Sequence, residues 1–282
     1  MSILDARMFG PWAVVTGASS GIGKEIARHV AASGINVVLV ARRLAQLEDV
    51  GRSLASDFGV AYRAVAADLS SADFFERIDD ATAELDVGLF VGNAGFANPG
   101  ELWTLDRQEL LRAVHVKVNA NLISVHHFAR KLVARGRGGI LLVSSVGGLN
   151  GVPYVSNTAA VEAYVLSLGE GLHVELAPHG VHVSVLMPGP TLTESMSKMG
   201  VDPSEMPMKP MSAVVVAAEG LRALRVNRAT HVAGRVNRFM ARVMPRSVAT
   251  VVMGAMIGKK FARPVLAANA EGRRDATARR SS

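Results

Sequence analysis

The stretch WAVVTGASSGIGKEIARHVAASG, residues 12–34, decides the fold. WAVVTG is a short, mostly β-branched apolar run that predicts a buried strand, and GKEIARHVAASG predicts a helix. Between them Gly17, Gly21 and Gly23 fall where the backbone has to turn tightly and come close to a bound group. The free amides at that helix N-terminus suit the negative charge of a pyrophosphate. Ser19, Ser20 and Ile22 belong to the same candidate cradle.

Outward from this turn the pattern repeats. INVVLVA predicts a second strand and LAQLEDVGRSLASDFG a second helix. Further apolar runs at 62–66, 87–91, 140–143 and 181–186 are each preceded by enough chain to cross back over a sheet. Right-handed crossovers of this kind build a parallel, doubly wound α/β sheet. Six or seven strands are expected, with long helices near 107–135 and 156–177. A dinucleotide-binding domain over 1–234 would contain them.

The spacing Gly-x-x-x-Gly-x-Gly, Asp68 in AADLS, Asn93-Ala94-Gly95, Ser145 in VSS, and Pro188-Gly189 with Thr191 appear in order over about 180 residues. In these motifs the chain resembles the short-chain dehydrogenase/reductase family. The resemblance implies a Rossmann fold and hydride transfer between a nicotinamide cofactor and a carbonyl or alcohol. It also implies that Asp68 and Leu69 contact adenine, that Asn93 lines the cofactor cleft, and that Pro188, Gly189 and Thr191 meet the nicotinamide amide. Cofactor choice rests on LVARR at the end of the second strand. Arg42 and Arg43 offer charge-assisted donors to a ribose 2′-phosphate, which favours NADP over NAD. Lys24 and Arg28 on the adjacent helix would add to that field.

The family's reaction uses a Ser, a Tyr, and a Lys four residues after the Tyr, which places Tyr and Lys on one helix face. Ser145 matches the first. Thirteen residues later the Tyr position holds Thr158 and the Lys position Glu162, while an upstream Asn position aligns with Lys117. A threonine hydroxyl stops roughly 4 Å short of a tyrosine's reach and is a far weaker acid. A positioned general acid contributes about 10²–10⁴ in rate, so the usual proton transfer is not expected here. Tyr154 and Tyr164 lie off the required face. Lys117 and Glu162 are expected to form a swapped ion pair at the floor of the site. His115, His126 and His127 form no metal-like constellation, and no metal is expected.

The net charge of +7 is unevenly spread. From Arg222 onward 14 Lys and Arg face only Glu271 and Asp275, a net +12, which leaves −5 in residues 1–221. Within this basic end Val236, Phe239, Met240, Val243 and Met244 recur at helical spacing opposite Arg238 and Arg242, an amphipathic helix ended by Pro245. A weaker stripe runs through Val248, Val251, Val252 and Met256 toward Lys259, Lys260 and Arg263. Residues 235–282 are therefore expected to form a basic C-terminal extension with a disordered end, able to meet an anionic membrane surface. No reading motif for nucleic acid accompanies the charge. The apolar run 248–258 is far short of the roughly 20 residues that span a bilayer. Absent cysteines suit a reducing compartment, and a cytoplasmic or membrane-peripheral location is expected. Met196, Met199, Met206, Met208 and Met211 mark 191–211 as a candidate lid.

Two functions are open on this reading. One is an NADP-dependent oxidoreductase acting on an apolar substrate through Ser145 and a rebuilt site. The other is a catalytically inactive nucleotide-binding pseudoenzyme, a sensor or a dimer partner. Homo-oligomers are implied by the resemblance.

Overall fold

The computed structural model describes residues 2–194, 196 and 209–261; Met199, Met206, Met208 and the end of the basic extension lie outside them, as do the side chains of Lys259 and Lys260. After a short helix α1 (Ala6–Phe9), strand β1 (Trp12–Thr16) leads into α2 (Gly21–Ala31), β2 (Asn36–Ala41), α3 (Leu44–Phe58) and β3 (Tyr62–Ala66). Then come α4 (Phe74–Thr82), β4 (Val87–Gly92), α5 (Arg107–Val114), α6 (Ala120–Arg135), β5 (Gly138–Val143), α7 (Ser156–Leu176) and β6 (Val181–Met187). The C-terminal part holds β7 (Thr191–Leu192), β8 (Met211–Ser212), α8 (Ala213–Arg225), β9 (Thr230–Val232), α9 (Arg235–Val243) and α10 (Arg246–Phe261).

Seven parallel strands form the main sheet in the order β3-β2-β1-β4-β5-β6-β9, and β7 pairs with β8 apart from it. This is the doubly wound Rossmann-type arrangement. Alternation along each strand feeds two separate cores. Val15, Leu39, Val91 and Leu141 pack with Ile26, Leu47 and Leu221 on the face covered by α2, α3 and α8. Val14, Val38, Phe90, Leu142 and Val185 pack with Ile78, Phe128 and Val165 under α4, α6 and α7. Phe90 and Phe128 stack with ring centroids 5.0 Å apart. Each such fully buried side chain is worth about 1.5–3 kcal/mol of transfer free energy.

Strand order reverses between β1 and β4, so the crevice that binds ligands in open α/β sheets lies at the carboxyl ends of these two strands. Between α5 and α6 the helix does not break. Residues His115–Asn119 form one widened π-type turn, a local feature that often marks functional sites. It contains Lys117.

Candidate active site

Thr16, the last residue of β1, ties the two halves of the crevice together. Its Oγ1 donates to Val91 O (3.2 Å) and accepts from the backbone N–H groups of Asn93 (2.9 Å) and Ala94 (3.2 Å), while Asn93 Nδ2 donates to Thr16 O (3.0 Å). Sequence reading passed over Thr16, because a strand-terminal threonine carries no signal of its partner 77 residues on. Gly17 and Gly21 have φ of +67° and +56°, conformations L side chains rarely adopt. A Cβ on Gly23 would strike Gly17 O and Asn93 Nδ2. Ser20 caps α2 without a side-chain hydrogen bond, so the first-turn amides are not consumed by a cap. An anionic group fits such a cradle.

The cleft that opens from this turn has a volume of about 1230 Å³. The end beside the glycine turn is walled by Ser19, Ser20, Gly21, Ile22, Arg42, Arg43, Asp68, Leu69 and Asn93, and the other end by Ser145, Thr158, Glu162, Pro188, Gly189 and Thr191. Burial alone would raise Asp68, but hydrogen bonds from the Ser70 N–H (3.0 Å) and hydroxyl (2.7 Å), with the charges of Arg112 and Arg42, hold its carboxyl below the ordinary range. Arg112, on α5, reaches Asp68 at 3.4 Å. Arg43 makes a two-pronged ion pair with Glu194, 2.9 Å on each prong, and approaches Ser19 Oγ at 3.4 Å. Arg28 instead pairs with Asp57 outside the cleft, and Lys24 borders a smaller pocket beside the glycine turn.

At the end holding Ser145, Lys117 Nζ lies 3.2 Å from Glu162 Oε1 and donates to Val143 O at 2.6 Å. The π-type turn sends Lys117 inward; Asn119, two residues on, turns to His115 at 3.1 Å on the exposed side. Both members of the ion pair are buried. Burial pushes the Glu162 carboxyl up, against the Lys117 charge, which pulls it down. Glu162 Oε2 is buried with no hydrogen-bond partner among the described residues. Thr158 Oγ1 accepts from the Asn98 N–H (3.2 Å), and Ser145 Oγ accepts from the Gly147 N–H (3.1 Å), so each hydroxyl proton stays available to a ligand.

None of the three tyrosines walls the cleft. Tyr62 donates to Glu48 at 2.8 Å, Tyr164 packs into the α7 side of the core, and the Tyr154 ring lies against Gly258 of α10. That last contact reflects an arrangement the sequence did not reveal. Helix α10 folds back so that Met253, Met256, Ile257 and Phe261 wall the cleft, opposite Phe96, Val152 and Val155. The apolar stripe read as part of a peripheral extension is thus divided between the site and the surface. Among the described residues there is no cluster of His, Cys, Asp or Glu that could hold a metal, and no helix long and apolar enough to cross a membrane.

Residues 11–203 match the short chain dehydrogenase family. The chain belongs to this family. It is 30% identical over 232 residues to the 7beta-hydroxysteroid dehydrogenase of Clostridium sardiniense, an alignment covering 82% of this chain and 88% of that protein. With the human very-long-chain 3-oxoacyl-CoA reductase it shares 33% identity over 183 residues, 64% of this chain and 59% of that protein. A solved structure from work on 7beta-hydroxysteroid dehydrogenase stereoselectivity superposes with a TM-score of 0.82 at 28% identity, covering 90% of this chain and all of that one (100%). A short-chain dehydrogenase from Sphingobium yanoikuyae in complex with NADPH gives a TM-score of 0.75 at 26% identity, covering 90% and 97%. The short-chain dehydrogenase family is one of nicotinamide-dependent oxidoreductases.

Proposed function

We propose that this chain binds NADP(H) and a bulky apolar carbonyl or alcohol compound in one cleft, and that it has exchanged the family's proton-transfer pair for a fixed ion pair. It then acts as a nucleotide-loaded ligand-binding protein rather than as a competent reductase. The observation that carries this reading is the buried Lys117–Glu162 contact of 3.2 Å in a cleft walled by no tyrosine.

Bound NADPH would supply a hydride, and reduction of a ketone then needs one proton on the carbonyl oxygen. Ser145 can polarise that oxygen by hydrogen bonding. Thr158 can orient it but is too weak an acid to protonate it well. Lys117 Nζ is engaged by the Glu162 carboxylate and by Val143 O, so it is not turned toward a substrate carbonyl. The unpartnered Glu162 Oε2 is suited to accept a hydrogen bond from a ribose hydroxyl. Arg42 and Arg43 would hold the 2′-phosphate, the amides of Gly21–Gly23 the pyrophosphate, and Asp68 with Leu69 the adenine. NADPH bound to the Sphingobium relative supports the choice of nucleotide. The apolar walls contributed by α10, and relatives named for hydroxysteroid and long-chain acyl chemistry, support a bulky apolar ligand.

A second copy is the proposed partner along α5–α7, where Leu111, Leu122, Ile123 and Val174 are exposed. A second reading keeps a slow reductase in which Ser145 provides the only hydroxyl of the usual set. Titration with NADPH followed by single-turnover assays on a steroid and long-chain ketone panel separates the two. Tight NADPH binding without turnover supports the sensor. Turnover abolished by Ser145→Ala establishes the reductase, and failure to bind either nucleotide rejects both.

A further inference from the structure

We propose that α9 and α10 form a docking face for an anionic lipid bilayer, and that this face brings the apolar wall of the cleft to the membrane. On α9, Val236, Phe239, Met240 and Val243 line one side and stand exposed, Phe239 at 64%. On α10, Val248, Val251, Val252 and Met256 are exposed as well, Val251 at 71%. Eight large apolar side chains on two consecutive helices exceed the scattered surface hydrophobes of an ordinary protein. Arg235, Arg242 and Arg246 are exposed among them, while Arg238 turns inward to Glu219 (3.4 Å) and Val232 O (3.1 Å).

Charge selects the occupant. Between Gly220 and Ala270 the sequence has ten Lys or Arg and no Asp or Glu. A two-fold dimer sets one surface against itself, and here it would oppose cation to cation. A nucleic acid would use the arginines but gives no reason for a stripe of Phe, Val and Met. An anionic bilayer satisfies both halves of the pattern: apolar side chains enter the acyl boundary, and flanking arginines meet the headgroups. Helix α10 is anchored on its inner side, with Ala249 buried, Gly254 against Pro153 and Gly258 against Tyr154. Met256 both stands exposed and walls the cleft, so one helix connects the bilayer to the place where an apolar ligand would sit. The docking face stands without the nucleotide assignment; the delivery of ligand through it rests on the apolar cleft proposed above.

The test is co-sedimentation of the full chain with vesicles of phosphatidylcholine alone and of phosphatidylcholine mixed with phosphatidylserine. Binding is expected to the mixed vesicles, to weaken as salt shortens the Debye length, and to fall about tenfold or more in Phe239→Glu/Val243→Glu. An unchanged thermal midpoint shows that this variant folds. If it does not fold, Arg242→Glu/Arg246→Glu and the salt series on the unaltered chain decide. Equal binding to both vesicle types, no binding, or no response to the variants overturns the proposal. A concentration-dependent dimer that the first variant dissolves, without vesicle binding, assigns the face to a second copy instead.

Discussion

Arg43 and Glu194 meet through two parallel hydrogen bonds, Nη1 to Oε1 and Nη2 to Oε2, both 2.9 Å. The guanidinium fork proposed to receive a 2′-phosphate is thus held by a carboxylate from the crossover that follows β7. Both side chains remain more than a third exposed, so the pair is worth no more than about 1 kcal/mol. A phosphate dianion competes well against it, but at a cost. Glu194→Gln should therefore tighten NADPH by up to about fivefold and leave NADH unchanged or weaker. Arg43→Ala should weaken NADPH by about ten- to a hundredfold with little effect on NADH. Fluorescence titration with both nucleotides checks this. Equal shifts for NADPH and NADH in Arg43→Ala would remove the case for NADP.

The Lys117–Glu162 pair has the energetics of buried charge. Removing either partner strands the other in the interior, where an uncompensated charge costs about 3–5 kcal/mol. Replacing both with apolar residues of similar size removes the desolvation cost together with the attraction. Lys117→Met and Glu162→Leu should each lower stability strongly, and the double variant should recover most of the loss. Denaturant unfolding of the four proteins reads the coupling directly, and additive losses would show that the two side chains do not act as a pair.

If proton transfer is what the site lacks, restoring the family's residues should restore it. Lys117→Asn, Thr158→Tyr and Glu162→Lys together return a phenol, an adjacent ammonium and the amide that accompanies it. NADPH-dependent ketone reduction should rise by about 10²–10⁴ over the unaltered chain, the usual contribution of a positioned acid. Thr158→Tyr alone should gain less, because Glu162 would raise rather than lower the phenol's pKa. No gain in a folded, NADPH-binding triple variant would mean that the cleft, not the proton donor, limits the reaction.

The sheet could be read from sequence because strand and helix periodicities are local, and because Gly17, Gly21 and Gly23 punctuate one unmistakable strand-to-helix turn. Lys117 and Glu162 could be brought together on paper because each sits at a fixed offset from a recognisable motif. The Arg43–Glu194 contact could not be found that way, since it joins side chains 151 residues apart and neither end has a distinguishing spacing. The π-type turn at His115–Asn119 leaves no mark in HVKVN. The apolar stripe of α10 is legible in the sequence, but it reads the same whether it faces lipid, solvent or the cleft. Only tertiary packing against Pro153 and Tyr154 places Met253 and Phe261 in the site.

Attachment of β9 and α9 depends on Glu219 of α8. Its Oε2 accepts from His231 Nε2 (2.8 Å) on β9 and from the Gly234 N–H (3.1 Å), and Arg238 Nη1 of α9 lies at 3.4 Å. Burial by itself would raise this carboxyl; the hydrogen bonds from His231 and Gly234 and the charges of His231 and Arg238 outweigh it and hold the group below its ordinary value of 4.5. A carboxyl with a depressed folded value stabilises fully above its unfolded value and loses that contribution as pH falls through the lower one. The hold on β9 and α9 should therefore be complete at neutral pH and fail in the acid range below 4.5. Hydrogen exchange of the α9 amides across that range should show protection lost with acid in the unaltered chain. In Glu219→Gln protection should already be reduced at neutral pH and change little on acidification. Equal pH dependence in both proteins would place the acid-sensitive group elsewhere.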